Sequence, residues 1–232
     1  MTKRFLAGLT FVVALTILSV APANGQITLG QVDDFTAASA AGWTNGGASP
    51  NPPTHNTGLG LDGIAGHLQE TSDGAGSGGR LLLFNDDARW TGDYFGAGVE
   101  GIQLDFDNRS GNGTDANLRV AFNGAGGWFI SDDILVADGS GWQTLGFDLL
   151  SLNHLAGGSG TLSDTFSNVT NFEILSSVSD TPGIGGAGIV QGDQIVADFR
   201  FDNITAVPEP SSLVLLAVSS IGLAVRRRKS RA

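Results

Sequence analysis

Between residues 31 and 204 the chain alternates repeatedly between apolar and polar residues, which is the pattern of a strand with one buried face. In the segment 101–107, for example, Ile102, Leu104 and Phe106 fall on one face and polar residues fall on the other. The same period predicts strands at 101–107, 117–122, 142–148, 171–175 and 194–204. Weaker strands are predicted at 31–35, 65–70, 80–84 and 128–130, and a helical turn is predicted near 164–169.

These short segments predict an all-β fold in which two antiparallel sheets pack face to face as a β-sandwich, because each strand has one apolar face to bury. Helices do not alternate with the strands, which argues against a Rossmann fold or a barrel of βα units. Longer loops are predicted at 42–60, 71–79, 108–115 and 176–192, and no repeat of 20–50 residues is present.

Composition narrows the function classes. Between residues 24 and 206 there are 22 acidic residues against five arginines, an excess of 17 negative charges, so nucleic-acid binding is not expected. Gly contributes 35 residues to the chain and most of the acids are Asp, which suits turns and decorated loops. The absence of Cys excludes disulfides, thiol catalysis and thiolate metal sites.

The N-terminal residues 1–23 have the form of a secretory signal peptide. Lys3 and Arg4 precede an apolar run at 5–20, and Ala21-Pro22-Ala23 is a small-x-small cleavage site. The alternative is an N-terminal membrane anchor, but the run is shorter than the roughly 20 residues of a membrane span. The domain following this signal is predicted to extend over 24–206.

The C-terminal segment 207–232 has three parts. Pro208, Glu209 and Pro210 stop regular structure, an apolar stretch follows at 213–225, and an Arg-rich end closes the chain. As a helix the apolar stretch reaches about 20 Å, which is short of the roughly 30 Å hydrocarbon core. The basic end stays on the cytoplasmic side, so the pattern predicts transient insertion of 213–225 into the inner membrane with the domain outside.

This tail resembles the PEP-CTERM sorting signals of Gram-negative bacteria over about 25 residues. The resemblance implies that Pro208, Glu209 and Pro210 are recognised by an exosortase, a membrane-embedded transpeptidase, and that the protein is exported to the cell surface, the outer membrane or the extracellular matrix. Proteins with such tails often accompany exopolysaccharide production. The alternative is a tail anchor that is never processed.

The domain resembles jelly-roll carbohydrate-binding modules of the galactose-binding-like fold over about residues 31–206. The resemblance rests on Asp33-Asp34-Phe35 near the start, Phe201-Asp202-Asn203-Ile204 near the end, and the Trp-containing segments 90–102, 126–131 and 139–145. It implies a jelly roll that binds extracellular polysaccharide.

In such modules a structural Ca²⁺ often joins the first and last strands, so the resemblance implies a calcium site formed by Asp33 or Asp34 with Asp202, and with Glu70 as a further ligand. Ca²⁺ takes about six to eight oxygens, and backbone carbonyls would supply the others. The alternative is that Asp202 caps a turn and that Asp33 and Asp34 lie on a solvated edge.

Sugars stack on exposed aromatic rings, so the candidate glycan-binding residues are aromatic side chains beside loop signals: Trp43, Trp90, Tyr94, Trp128 and Phe129. The alternative for each is the core, where sandwich aromatics usually lie. Trp142 begins a strand and is predicted to be a core residue.

Catalysis is not expected. His55, His67 and His154 are far apart in sequence and have no zinc spacing, and neither a nucleophile elbow nor a phosphate loop is present. The sequence therefore predicts an exported, non-catalytic surface or matrix protein that binds polysaccharide. The alternatives are a structural matrix or adhesion protein that contacts other proteins, and a divergent glycan-active enzyme.

Overall fold

A computed structural model of the chain describes residues 26–46, 49–76, 80–109, 111, 113–186 and 188–208. Within them are twelve strands: β1 Val32–Asp33, β2 Thr54–Leu59, β3 Ala65–Asp73, β4 Leu82–Asn85, β5 Gly101–Asn108, β6 Ala116–Gly124, β7 Gly127–Ile130, β8 Ile134–Val136, β9 Trp142–Asp148, β10 Asn153–Ala156, β11 Asn171–Ser176 and β12 Val196–Val207. Two short helices, α1 Tyr94–Ala97 and α2 Leu162–Phe166, and a 3₁₀ turn at Leu149–Ser151 lie between them. Among these described residues, no helix has the length and apolar character needed to span a bilayer.

The strands form two six-stranded sheets, and every strand pair is antiparallel. Sheet A has the order β2-β3-β12-β5-β9, with β1 paired to the second half of β12. Sheet B has the order β10-β7-β6-β11-β4, with β8 paired to β6. The predicted all-β sandwich is confirmed. The predicted signal peptide at 1–23 and the apolar segment at 213–225 lie outside the described residues.

The nine predicted strands are all present, and β9 spans the same residues as its prediction. Three strands were not predicted. β2 lies inside the segment 42–60 that was predicted to be a loop, because Thr54–Leu59 has no run of apolar residues to mark it. β8, with the sequence Ile-Leu-Val, and β10, with the sequence Asn-His-Leu-Ala, show no alternation of apolar and polar residues.

The main core lies between the inner faces of the two sheets. Sheet A contributes Phe106, Phe199 and Phe201, and the centroid of the Phe106 ring lies 5.3 Å from that of Phe199 and 5.1 Å from that of Phe201. Sheet B contributes Phe122 and Phe172, which stack at 4.7 Å across neighbouring strands. All five rings are fully buried, so the alternating apolar residues provide the packing that joins the sheets.

Asp33 connects several parts of this core through one buried carboxylate. Its Oδ2 accepts hydrogen bonds from the indole Nε1 of Trp43 at 2.8 Å and of Trp90 at 2.7 Å. Its Oδ1 accepts a hydrogen bond from the guanidinium of Arg89, which is partly exposed. Both indole rings also contact Phe172 of sheet B, so the carboxylate holds the aromatic groups that close one side of the sandwich.

Glu70 is a second buried acid on the inner side of sheet A. Its Oε1 accepts a hydrogen bond of 2.7 Å from Asn45, whereas its Oε2 has no partner among the described residues. Burial raises the pKa of the Glu70 carboxyl to about 8 from an ordinary value of 4.5. The side chain therefore carries its proton at neutral pH.

The substitution Asp33→Asn is expected to lower the free energy of unfolding by about 2–4 kcal/mol. The amide of the variant has an oxygen at one position and an NH₂ group at the other. The NH₂ group is itself a donor, so it would face either the two indole donors or the Arg89 donor. Urea unfolding followed by tryptophan fluorescence measures the loss. Asp34→Asn, at the exposed neighbouring position, is the matched control, and an equal effect of the two changes would contradict the role assigned to Asp33.

Glu70 is expected to make the protein less stable as the pH rises from about 5 to about 8. The unfolded chain loses the Glu70 proton near 4.5 and the folded protein loses it near 8, so unfolding releases a proton in this window and its free energy falls with rising pH. One such group contributes at most about 1.4 kcal/mol per pH unit. Glu70→Gln should remove this part of the slope in urea titrations at several pH values, whereas Glu100→Gln, a change at a half-buried position, should leave it unchanged.

Candidate functional site

The five predicted glycan-binding aromatics do not form an exposed strip. Trp43, Trp90, Tyr94 and Phe129 belong to the main core, and Trp128 belongs to a second buried cluster, with exposed fractions between 0 and 5 %. The prediction of exposed rings is therefore wrong. The physical reason is that their polar atoms find partners inside the protein: both core indoles bind Asp33, and the Tyr94 hydroxyl donates to the Trp90 carbonyl at 2.9 Å.

The four carboxyls predicted to hold calcium are not brought together. The oxygens of Asp33 are taken by two indoles and Arg89, and Glu70 lies on the inner side of sheet A, bound to Asn45. Asp34 is exposed and accepts hydrogen bonds from Thr36.

Asp202 lies in a different setting from the other three. Burial is the main cause that raises the pKa of Asp202 to about 7, and the negative charges of Asp62, Asp105 and Asp34 add to this.

Among the described residues, no group of three or more His, Asp or Glu side chains has the arrangement of a metal site. The residues do not fit a shared Ca²⁺ site as a set. Calcium binding stays a prediction, to be tested by melting the protein with and without a chelator.

The outer face of sheet B carries an apolar surface with one acid at its centre. Cross-strand partners share a face, so the register places Glu173 in one row between Phe84 and Ala121, and Trp128 in the adjoining row beside Asn123. Apart from the main core, this face carries the buried apolar residues Leu82, Ala121, Trp128, Ile130 and Leu175, and we call it the covered face. Val190, from a segment outside the sheet, packs in the same cluster.

A glycine-rich flap, formed by residues 183–186 and 188–191 in the described chain, covers this surface. The flap is a hairpin closed by its own backbone hydrogen bonds, with Gly185 donating to Ile189 at 2.8 Å and Gln191 donating to Gly183 at 2.8 Å. Among the described residues, two side chains of sheet B bind it by hydrogen bonds. Trp128 Nε1 donates to the Gly188 carbonyl at 3.1 Å, and Glu173 accepts from the Val190 amide at 3.1 and 3.3 Å.

The flap therefore lies on the sheet without joining its backbone ladder. Arg119, fully buried on the same face, holds the segment before the flap: its guanidinium donates to the Ser177 carbonyl at 2.9 Å and to Asp180 at 2.6 Å. Glu173 and Trp128 therefore supply the two side-chain hydrogen bonds that join the described part of the flap to sheet B.

Glu173 was not recognised from the sequence. It occupies a polar position in an alternating strand, where a solvated carboxylate is expected, but the flap buries it completely. Burial raises the pKa of the Glu173 carboxyl well above its usual range, and the Val190 amide opposes this only in part. A protonated carboxyl can both donate and accept a hydrogen bond, as a sugar hydroxyl does.

The outer face of sheet A is open and polar. The register aligns Gln69, Arg200, Asp107 and Trp142 in one row across four neighbouring strands. We call this the polar face. Trp142 is the one tryptophan of the chain that is not buried, so its prediction as a core residue is wrong. It begins an edge strand, where its ring crosses the sheet and contacts the His67 ring at a centroid distance of 5.8 Å.

Hydrogen bonds hold the side chains of the polar face in place. Asn56 donates to Gln69 at 2.8 Å, and Gln69 donates to Asp198 at 2.7 Å. Arg200 pairs with Asp107 at 3.6 Å. In the next row Thr144 and Asn203 both donate to Asp105, at 2.6 and 2.8 Å.

Three buried polar atoms on or beside the polar face have no hydrogen-bond partner among the described residues: His67 Nε2, Arg200 Nε and Asp202 Oδ2. Buried polar atoms in folded proteins are normally bonded, so such atoms mark positions where a ligand or water can bind.

A family model for the PEP-CTERM protein-sorting motif matches residues 206–229. The match confirms the predicted sorting signal, although Glu209 and Pro210 themselves lie outside the described residues. The motif begins within the last residues of β12, so the sorting segment follows sheet A directly. No curated protein sequence is significantly similar to the chain.

Several solved structures are similar to the sandwich. A family 11 carbohydrate-binding module from Clostridium thermocellum in complex with a β-1,3-1,4-mixed-linked tetrasaccharide is 15 % identical, with a TM-score of 0.47, covering 78 % of this chain and 98 % of that one. A family 22 module of Clostridium thermocellum Xyn10B is 10 % identical, with a TM-score of 0.46, covering 82 % and 98 %. An exo-β-agarase is 13 % identical, with a TM-score of 0.50, covering 79 % and 25 %.

At these identities the likeness concerns the fold alone, and the fold of this chain is the two-sheet antiparallel β-sandwich expected from the sequence. Sandwich and tail together describe an exported protein: an antiparallel β-sandwich domain that carries a PEP-CTERM sorting motif at residues 206–229.

Proposed function

We propose that this protein is a non-catalytic module that binds a neutral extracellular polysaccharide on the covered face of sheet B, beneath the glycine-rich flap. An exosortase is its sorting partner, and the cell surface or the surrounding matrix is its place of action. The observation that carries the proposal is the pair Trp128 and Glu173, whose side chains hold the flap on this face.

The chemistry of the covered face suits a sugar ring. One side of a pyranose presents C–H groups that pack on an indole, and its hydroxyls donate and accept hydrogen bonds. Trp128 offers the indole, and Ile130 and Leu175 offer apolar surface beside it. Glu173 offers hydrogen bonds from a buried carboxyl, and burial raises the pKa of this carboxyl well above its usual range. The flap places the Val190 side chain on the apolar surface, the Val190 amide on Glu173 and the Gly188 carbonyl on Trp128. It therefore occupies the contacts that a sugar would make.

The ligand binds only to molecules in which the flap is open. Because these molecules are a fraction of the population, the need to open the flap lowers the apparent affinity. Its glycines add to the entropy of the open state. The apolar contacts of Ile189 and Val190 hold the closed state. Selectivity follows from these opposing effects, since only a ligand that replaces both side-chain hydrogen bonds compensates for the loss of the flap.

Charge favours a neutral ligand. The excess of 17 negative charges over residues 24–206 repels uronate-rich polymers. Hydrolysis of a glycan usually requires two carboxyls about 5–9 Å apart. The cross-strand neighbours of Glu173 are Phe84 and Ala121, neither of which is an acid. This supports binding without catalysis.

The substitution Trp128→Ala is expected to weaken glycan binding beneath the flap by at least about tenfold. This corresponds to a loss of roughly 1.4 kcal/mol of binding free energy. Trp128→Phe keeps a ring but loses the hydrogen bond to Gly188, so it should bind as tightly as the unchanged protein or more tightly. Calorimetry of the purified full chain with mixed-linkage β-glucan, xylan and agarose oligosaccharides measures affinity. Hydrogen exchange of the Val190 amide reports the flap, which should lose protection when the ligand binds.

The matched control is Leu135→Ala, at an exposed position on β8 outside the buried cluster that the flap covers. If no neutral glycan binds at millimolar concentration while the protein associates with itself, the structural matrix role replaces this proposal. Binding that leaves Val190 protected would move the site away from the covered face.

A further inference from the structure

We propose that the polar face of sheet A is a second glycan-binding surface, for an uncharged sugar unit stacked on Trp142, so that one molecule binds two polysaccharide strands on opposite faces. This inference extends the proposed function but stands on separate residues. Sheet A and sheet B pack through their inner faces, so their outer faces point in opposite directions.

The aromatic platform is Trp142. It is partly exposed, and its ring is held across the sheet by the edge contact with His67 at 5.8 Å. A ring fixed in this way loses little conformational freedom when a sugar stacks on it. Polar side chains in the same row are already held in place, Gln69 by hydrogen bonds and Asp107 and Arg200 by their ion pair.

Two buried atoms near this ring lack partners and have complementary roles. His67 Nδ1 lies 3.2 Å from the Gly58 carbonyl, which can only accept, so Nδ1 carries the hydrogen. Burial lowers the pKa of the His67 imidazole, so the ring is neutral and Nε2 is an acceptor without a donor. Arg200 Nε is a donor without an acceptor. A sugar hydroxyl can satisfy either atom, because it both donates and accepts.

The space beside His67 is kept open by a small residue. A Cβ at Gly58 would lie 3.2 Å from the His67 ring, so a larger side chain at this position would press on the imidazole. His67 is 1 % exposed and Arg200 has 15 % of its side chain exposed, so their free atoms lie at the floor of the surface. Such atoms recognise a group that enters the surface and displaces water.

The ligand class follows from charge. The polar face holds the carboxyls of Asp105, Asp107, Asp198 and Asp202 and the guanidinium of Arg200, which is already paired with Asp107. An anionic sugar would meet more negative than positive groups. An uncharged sugar uses the same carboxyls as acceptors for its hydroxyls, so it is the favoured occupant.

Two sites on opposite faces make the protein a cross-linker. A chain of sugars can occupy each face, and occupation of both sites on many molecules joins strands with an avidity above that of either site. The sorting motif begins at residue 206, after Arg200 and Asp202 on the same strand, so it includes no residue named for either surface.

The test is the stoichiometry of binding by the full chain, measured by calorimetry with the neutral oligosaccharide that binds best among mixed-linkage β-glucan, xylan and agarose fragments. The unchanged protein should bind two oligosaccharides. The Trp142→Ala variant should bind one oligosaccharide, and this binding should still lower the protection of the Val190 amide from hydrogen exchange. The Trp128→Ala variant should bind one oligosaccharide, and the protection of the Val190 amide should not change. Trp142→Phe, which keeps a ring, should restore the second site, and oligogalacturonate should bind at neither site.

Gln103→Ala is the matched control, because Gln103 is exposed on the outer face of β5 in a row away from Trp142. A thermal melt of each variant confirms that it is folded. A single site that depends on Trp128 and not on Trp142 overturns this inference while leaving the proposed function intact. Absence of binding by every neutral glycan overturns both.

Discussion

The structure depends on one carboxylate inside the sandwich. Asp33 lies on the short strand β1, binds the indoles of Trp43 and Trp90 and pairs with Arg89, so three separate segments of the chain meet at two oxygen atoms. Burial of a charge is unfavourable unless every oxygen is satisfied, and here each has a donor. The two indoles then pack on Phe172 of sheet B. The arrangement explains why tryptophans beside loop signals are core residues in this protein.

The strands could be predicted from the sequence where apolar residues alternate, as in Ile102, Leu104 and Phe106, because the inner face of each sheet is buried by one continuous core. β2 could not be predicted in this way, since Thr54–Leu59 is stabilised by pairing with β3 and has no apolar period. The sorting motif was readable because it depends on local order along the chain and not on tertiary contacts.

The candidate sites were harder to predict, because outer-face residues owe their burial to segments distant in sequence. Glu173 has the position of a solvated residue, but a flap more than ten residues later covers it. Trp142 has the position of a core residue, but it begins an edge strand and its ring lies across the outer face. In both cases the strand period gives the face correctly and says nothing about what lies above it. Sheet faces are local properties, whereas their covering is a tertiary one.

The central position of β12 has a mechanical consequence. β12 pairs with β5 on one side and with β3 and then β1 on the other, and the sorting motif begins within its last residues. A pull on the tail is therefore directed along a strand that is hydrogen-bonded on both edges. Such a load acts in shear, so many ladder bonds resist it together and do not open one at a time. A force that reaches the domain through the sorting motif would therefore be distributed over the ladder of sheet A.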